Sequence, residues 1–127
     1  MTSNQRGQAT VELAFSLVIL VLFLFAIIDF GRIFHAYLTL DHASREGARI
    51  ASVGATDSEV IARVKGSAPL LDSTTVSVSI TPLPQDRVRG SYVTVELAYP
   101  ISFSVPLLAN VAPNPLTLRS KTVMRVE

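Results

Sequence analysis

Few side chains in this sequence have a type and spacing that could perform chemistry. The two histidines, His35 and His42, are separated by two helical turns or about 10.5 Å, too far for both to bind one metal ion without a bridging ligand. The chain has no cysteine, and it shows no phosphate-binding glycine loop or hydrolase motif. We therefore expect no catalytic residue, metal, cofactor or small-molecule substrate, and no enzyme activity.

Glu12 stands at the start of an apolar run, five residues after Gly7. A carboxylate at this margin could simply reach the lipid headgroups, at a cost well below the about 2.5–3.5 kcal/mol of a charge at the centre of a span. Alternatively, cleavage after Gly7 would make Gln8 the N-terminus, about one helical turn from Glu12. The Gln8 ammonium of a neighbouring subunit could then neutralise Glu12, because an unpaired carboxylate in apolar surroundings is costly.

The run that follows, Leu13–Ile28, holds fifteen hydrophobic residues, one serine and no charge. It is too long for a secretory signal, whose apolar region has about 7–15 residues, and it is apolar on every face, unlike a core helix. A retained single span is favoured, and we assign it to residues 8–30. Arg6 and the amino terminus favour a cytoplasmic N-terminus, with the rest of the chain outside the cytoplasm.

The remainder of the chain predicts helices first and strands later. Helical spacing predicts one helix from about Thr10 to Ser52, with a possible bend at Gly31, and a stop at residues 53–55. A short second helix is expected to start at Thr56 or Asp57. With a net charge of +1 and no basic patch with aromatic residues, nothing indicates nucleic-acid binding.

Three stretches alternate between apolar and polar residues with a period of two, as strands do: Val76–Thr81, Val93–Tyr99 and Leu116–Val126. Pro100 is expected to end the second strand, and Ile101, Phe103 and Val105 to form a short edge strand before a loop at 106–115. The predicted class is α+β, a long N-terminal helix packed on an antiparallel sheet of three to four strands. Residues 53–127 form this helix-plus-sheet body, and residues 31–52 continue the first helix into it.

Two further motifs lie on the long helix. Asp29, Gly31 and Arg32 mark the predicted membrane exit, either as a simple collar or as a partner contact; the collar is favoured. Ala43, Gly47 and Ala51 form a stripe of small residues that allows close packing. Packing on the chain's own sheet is favoured over packing on another subunit.

The stretches GQATVEL, IIDFGR and ASREGARIA, in this order within Arg6–Ser52, resemble the TadE-like family of minor pilins or pseudopilins of bacterial Tad pilus systems. The arrangement of Gly7 and Glu12 before a long apolar helix looks like the class III signal of type IV pilin-like proteins. The resemblance covers about the first two fifths of the chain. It implies a pilin-like fold of one long helix and a sheet.

The resemblance also implies a function. A prepilin peptidase would remove the leader, residues 1–7, by cutting between Gly7 and Gln8, and Glu12 would be the acid used in assembly. Gln8 replaces the aromatic residue of many type IV pilins, which weakens the expectation of N-methylation. The implied partners are the membrane, the Tad assembly platform and other pilin subunits, with a location in the bacterial inner membrane or in a surface pilus used for adhesion. The alternative is an unprocessed, permanently anchored binding module of an envelope complex.

Overall fold

The long helix dominates the computed structural model, which describes residues 2–112 and 115–127. Helix α1, Thr2–Ser52, has 51 residues and is therefore about 75 Å long. Its most apolar window of 18 residues has a mean hydropathy of 2.9 and is not buried by the rest of the chain. The helix is long and apolar enough to cross a membrane once, consistent with a single-pass protein.

Helix α1 begins at Thr2. The predicted start at about Thr10 is therefore too late. The first turns contain no proline, and Gly7, the poorest helix former among them, costs only about 1 kcal/mol. The helix also continues through Gly31 without a break. Met1 of the predicted leader lies outside the described residues.

The end of α1 and the start of the next helix agree with the prediction. Gly54 adopts a φ of +95°, a left-handed conformation that glycine tolerates at a helix end. Helix α2, Asp57–Ser67, follows the N-cap residue Thr56, whose side chain accepts from the backbone of Glu59 while the Glu59 carboxylate accepts from the Thr56 amide. This reciprocal capping box satisfies two otherwise unpaired N–H groups.

Three strands form one antiparallel sheet in the order β1-β2-β3. They are β1 (Ser77–Thr81), β2 (Tyr92–Ile101) and β3 (Leu116–Arg125). On each strand the predicted apolar face is the more buried one, and on β3 the opposite face exposes charged residues, among them Arg119 and Lys121. The predicted α+β class, with one long helix and a small antiparallel sheet, is confirmed.

The core lies between this sheet, α2 and the outer half of α1. Each large side chain buried there contributes about 1.5–3 kcal/mol of hydrophobic stabilisation. The largest fully buried hydrophobic side chains are Leu40, Val60, Val64, Val93, Val95 and Leu97.

The predicted edge strand at 101–105 is wrong. Ile101 is the last residue of β2, and Pro106–Ala109 form a short helix, α3. The amides of Ser104 and Val105, which a strand would use for pairing, donate instead to a carboxylate of α1. Pro113 and Asn114 of the predicted loop lie outside the described residues.

Pro100 also does not end the second strand, which continues to Ile101. The pairing of β1 with β2 stops at Ala98, whereas β3 pairs with β2 as far as Ile101. At Pro100 one side of β2 is therefore an open edge, where a residue without an N–H is tolerated.

The end of the sheet far from the predicted membrane span is fixed to the turn between α1 and α2. The Arg87 side chain, only 4% exposed, pairs with Asp57 and donates to the carbonyl oxygens of Ala55 and Pro82 at 3.2 and 3.1 Å. The β2–β3 connection is consequently at the opposite end, beside the membrane exit.

Candidate functional site

Gly7, Gln8 and Glu12 all lie within the continuous helix α1, and all three are exposed. Within the part of the chain that the structure describes, the Glu12 carboxylate takes part in none of the ion pairs, which all lie between residues 29 and 119. No side-chain atom stands within 4 Å of the position that a Gly7 Cβ would occupy. The surface formed by Gly7, Gln8 and Glu12 is therefore open to an external partner.

Asp29 has a different environment, because it is 2% exposed and surrounded by donors. One carboxylate oxygen accepts from Nη1 of Arg32 at 3.0 Å. The other accepts from the backbone amides of Ser104 and Val105, at 2.8 and 3.1 Å. We call these four residues the exit clasp, since they join the predicted membrane exit of α1 to the β2–β3 connection.

Arg32 closes the exit clasp from the solvent side. Besides Asp29, its Nη1 donates to the Ser104 hydroxyl at 2.9 Å, so that the guanidinium spans α1 and the loop. Gly31 between them has open space where a Cβ would stand, so the chain's own packing does not require a glycine there. The sequence analysis placed Asp29 and Arg32 at the predicted membrane exit, but it did not identify Ser104 and Val105 as their partners. The available signal was that both partners lie in a charge-free segment of the strand-rich half, 97–118.

Asp29→Ala is expected to release the β2–β3 connection from α1. The substitution leaves two amides without an acceptor and Arg32 without its counter-ion, at a cost of about 1–3 kcal/mol for each group left unsatisfied. Hydrogen exchange at Ser104 and Val105 in lipid nanodiscs should accelerate by about tenfold or more.

Asp29→Asn is the matched control for this variant, because it keeps the side-chain shape and one acceptor oxygen. It should give an intermediate acceleration. Equal exchange rates in the wild type and both variants would mean that the carboxylate does not hold the connection.

The small residues Ala43, Gly47 and Ala51 are buried against the chain's own body. A Cβ built on Gly47 would lie 2.6 Å from Cγ2 of Val64 on α2 and 3.5 Å from Cγ1 of Val95 on β2. Since real Cβ atoms do not approach so closely, only glycine is compatible with this helix spacing. The stripe brings α1 close to both α2 and the sheet.

A cluster of hydroxyl groups lies beside this stripe, and sequence reasoning missed it. The Ser44 hydroxyl is within hydrogen-bond distance of Ser120 (3.0 Å) and Thr122 (2.8 Å) on β3. Ser120 in turn donates to Asp41 at 3.1 Å. The signal was present, because Ser120 and Thr122 occupy apolar-face positions of the predicted strand. The cluster satisfies buried polar groups and orients β3 on α1.

Glu46 links α1 to α2 on the exposed side. It accepts from Arg49 at 2.6 Å and from Arg63 on α2 at 2.7 Å. The hydrogen bonds from Arg49, and then those from Arg63, lower the pKa of Glu46 from 4.5 to about 2. A carboxyl whose pKa is depressed by folding stabilises the folded state above its unfolded pKa, and this contribution is lost as the pH falls towards the folded pKa.

Glu46→Gln is therefore expected to destabilise the body most above pH 4.5, with the difference from the wild type shrinking between pH 4.5 and about 2. Thermal unfolding of both proteins in detergent micelles, at pH 6 and at pH 2.5, measures this difference. Glu96→Gln is a suitable control, since it removes a carboxylate that is more exposed, 39% against 19%, and should have a smaller effect. A difference that is constant with pH would contradict the assignment.

Clusters of metal-binding side chains are absent from the described residues, which contain no group of three or more His, Cys, Asp or Glu able to hold an ion. His35 and His42 lie along α1 and line a shallow groove with Leu38 and Leu70. Among the described residues, the candidates for a functional role therefore lie on the N-terminal part of α1 and in the exit clasp rather than around a pocket.

Comparison with known proteins gives a family match, and it lies on helix α1. Residues 7–49 match the family model described as TadE-like protein. The match begins at Gly7, includes Glu12, Asp29 and Arg32, and ends within the small-residue stripe. No curated protein and no solved structure matches the chain.

The family match covers the apolar part of α1 and most of its continuation, and it does not cover the strand-rich half. It associates the chain with Tad pilus systems in general. The resemblance drawn from GQATVEL, IIDFGR and ASREGARIA is thereby confirmed for residues 7–49, which are similar to the TadE-like family over about a third of the chain.

Proposed function

We propose that this chain is a minor pilin or pseudopilin that takes part in the assembly or priming of a Tad-type pilus used for adhesion. Helix α1 anchors it in the bacterial inner membrane, with the body outside the cytoplasm. A prepilin peptidase removes residues 1–7, and the Gln8 ammonium of one subunit then pairs with Glu12 of the next. The partners are other pilin subunits and the Tad assembly platform.

The observation that carries this proposal is the isolation of Glu12. The side chain is exposed at the edge of an apolar helix, and none of the ion pairs among the described residues includes it. Its nearest cation along the chain is Arg6, which belongs to the part that would be removed. Burying a carboxylate in lipid or in a helix bundle without a partner is costly. Pairing of Glu12 with a neighbour's ammonium is therefore strongly favoured.

Intact mass of the protein from cells with and without the prepilin peptidase tests the processing step. We expect a mass that begins at Gln8 with the peptidase and at Met1 without it. Gly7→Val should give the unprocessed mass even with the peptidase, because the added side chain blocks the residue before the scissile bond. Gly31→Val, a matched change on the same helix, should be processed normally. An identical unprocessed mass in both strains would contradict the cleavage.

One observation favours the alternative, a permanently anchored binding module. The Gly7–Gln8 bond lies inside α1, and the Thr10 hydroxyl donates to the Arg6 carbonyl at 2.9 Å across it. A peptidase would have to unwind this turn. Fractionation of sheared surface filaments separates the two functions, since a pilin occurs in the filaments and a pure anchor remains with the cells.

A further inference from the structure

The β2–β3 connection returns along α1 below the exit clasp. Val105 and Leu108 line a groove of about 280 Å³ together with side chains of α1 from the membrane span. The α1 residues in this groove are Ile19, Leu22, Phe23 and Ala26. The connection therefore lies beside the helix at a depth that belongs to the span.

The depth follows from the geometry of the helix. Ile19 precedes Asp29 by ten residues, which is about 15 Å along an α-helix. Half of a bilayer's hydrocarbon core is also about 15 Å. A side chain that shares a groove with Ile19 and Phe23 consequently lies well inside one leaflet if Asp29 marks the lipid boundary.

The bilayer cannot be moved along α1 to avoid this overlap. Between Glu12 and Asp29 the apolar run has only sixteen residues, about 24 Å, which is already shorter than a hydrocarbon core of about 30 Å. A hydrocarbon core that ends at Asp29 already contains Glu12 near its inner margin. Shifting the lipid further towards the N-terminus would carry Glu12 deeper and would immerse Arg6 or, after processing, the Gln8 ammonium, and both changes are unfavourable. The segment from Ile19 to Ala26 must stay within the lipid.

The connection has the composition that such a position demands. No charged residue occurs between Glu96 and Arg119, and Val111 is 85% exposed in the isolated chain. A large exposed hydrophobic side chain beside a span is suited to acyl chains rather than to water.

Several N–H groups of the connection are already paired within the chain, as lipid requires of backbone polar groups. The amides of Ser104 and Val105 donate to Asp29, and Pro106 has no N–H. The amide of Leu108 donates to the carbonyl of Val105, and those of Val111 and Ala112 to the carbonyl of Leu108. Arg32 balances the charge of Asp29 at the point of entry.

We propose that residues 103–112 form a membrane wedge, which enters the leaflet on the side of the body and packs beside α1, with lipid acyl chains covering Val111. The wedge adds to the proposed function, because it fixes the body at the membrane surface. It rests on the part of that function in which α1 is the membrane anchor. It presents its apolar surface to lipid, and not to a second subunit.

Single-cysteine labelling tests the membrane wedge, because the chain contains no cysteine. Val111→Cys is reconstituted in phosphatidylcholine vesicles at high dilution, and its reaction with a membrane-impermeant maleimide is normalised to the reaction in SDS. Val88→Cys, at the far end of the body and 67% exposed, is the accessible control. Phe25→Cys, inside the span, is the buried control.

We expect Val111→Cys to react at least about tenfold more slowly than Val88→Cys, and as slowly as Phe25→Cys. A bimane on residue 111 should be quenched by lipids brominated on their acyl chains, and one on residue 88 should not. Rapid labelling at 111 with protection at 25 would overturn the wedge and leave the anchor intact. Rapid labelling at both would overturn the anchor as well, and protection that appears only at high protein density would replace the lipid with a second subunit.

Discussion

Replacement of Glu12 by valine is expected to leave membrane insertion intact or improved, and to lower the incorporation of the protein into pili. The variant removes the only carboxylate near the Gln8 end of the span. A hydrogen bond to a charged group contributes about 1.5–3 kcal/mol, which corresponds to about a tenfold loss or more in the occupancy of a subunit contact. Immunoblots of sheared filaments and of membranes from the same cells measure the two quantities.

Ser16→Val is the matched control for Glu12→Val. Ser16 lies one turn further on the same side of α1, and its hydroxyl donates to the Glu12 carbonyl at 2.9 Å, so the change makes the same helix face more apolar without removing a charge. It should leave the amount in filaments unchanged. If Glu12→Val were also incorporated at the wild-type level, the carboxylate would have no role in subunit register.

Gly47→Leu is expected to produce the largest loss of stability in the body. The new Cβ would collide with Val64, a stiff and fully buried side chain, and the rest of the leucine would have no space between α1, α2 and β2. Overpacking of a core typically costs about 1–3 kcal/mol and sometimes more, and we expect about 3 kcal/mol here. Hydrogen exchange of the slowest amides in β2 and β3 should then accelerate by about a hundredfold.

Gly66→Leu tests whether the effect comes from the collision or from the loss of a glycine. Gly66 is also helical, on α2, and has open space where a Cβ would stand. It should keep or slightly increase the protection of the sheet, because glycine costs about 0.5–1 kcal/mol in a helix interior. Similar exchange in the Gly47 and Gly66 variants would mean that α1 can move away from α2.

The two longer helices and the three strands could be predicted because each has a local signal. The charge-free run of α1, the capping residues of α2 and the alternation on β3 are all legible within a few residues of sequence. The packing of the small-residue stripe on the chain's own body was favoured for the same reason, since a helix with an apolar stripe must cover it. The family resemblance also depended on local motifs, and the match to residues 7–49 covers the same helix.

The contacts that could not be predicted all join residues far apart in the chain. The exit clasp joins Asp29 to Ser104 and Val105, which follow it by 75 and 76 residues. Alternation alone suggested a strand at 101–105, because periodicity does not reveal that a carboxylate on another element will take the amides. The same applies to Ser44, whose hydroxyl partners on β3 are 76 and 78 residues away.

The order of α1 and β3 along the chain limits when the body can form during synthesis. Helix α1 is made first, yet part of its buried side, around Ser44, is covered by β3, which follows it by more than sixty residues. The hairpin of β1 and β2 alone would be only marginally stable. The body therefore completes its fold in one late step, after Arg125 has been made, and until then the inner side of α1 remains open to chaperones and proteases.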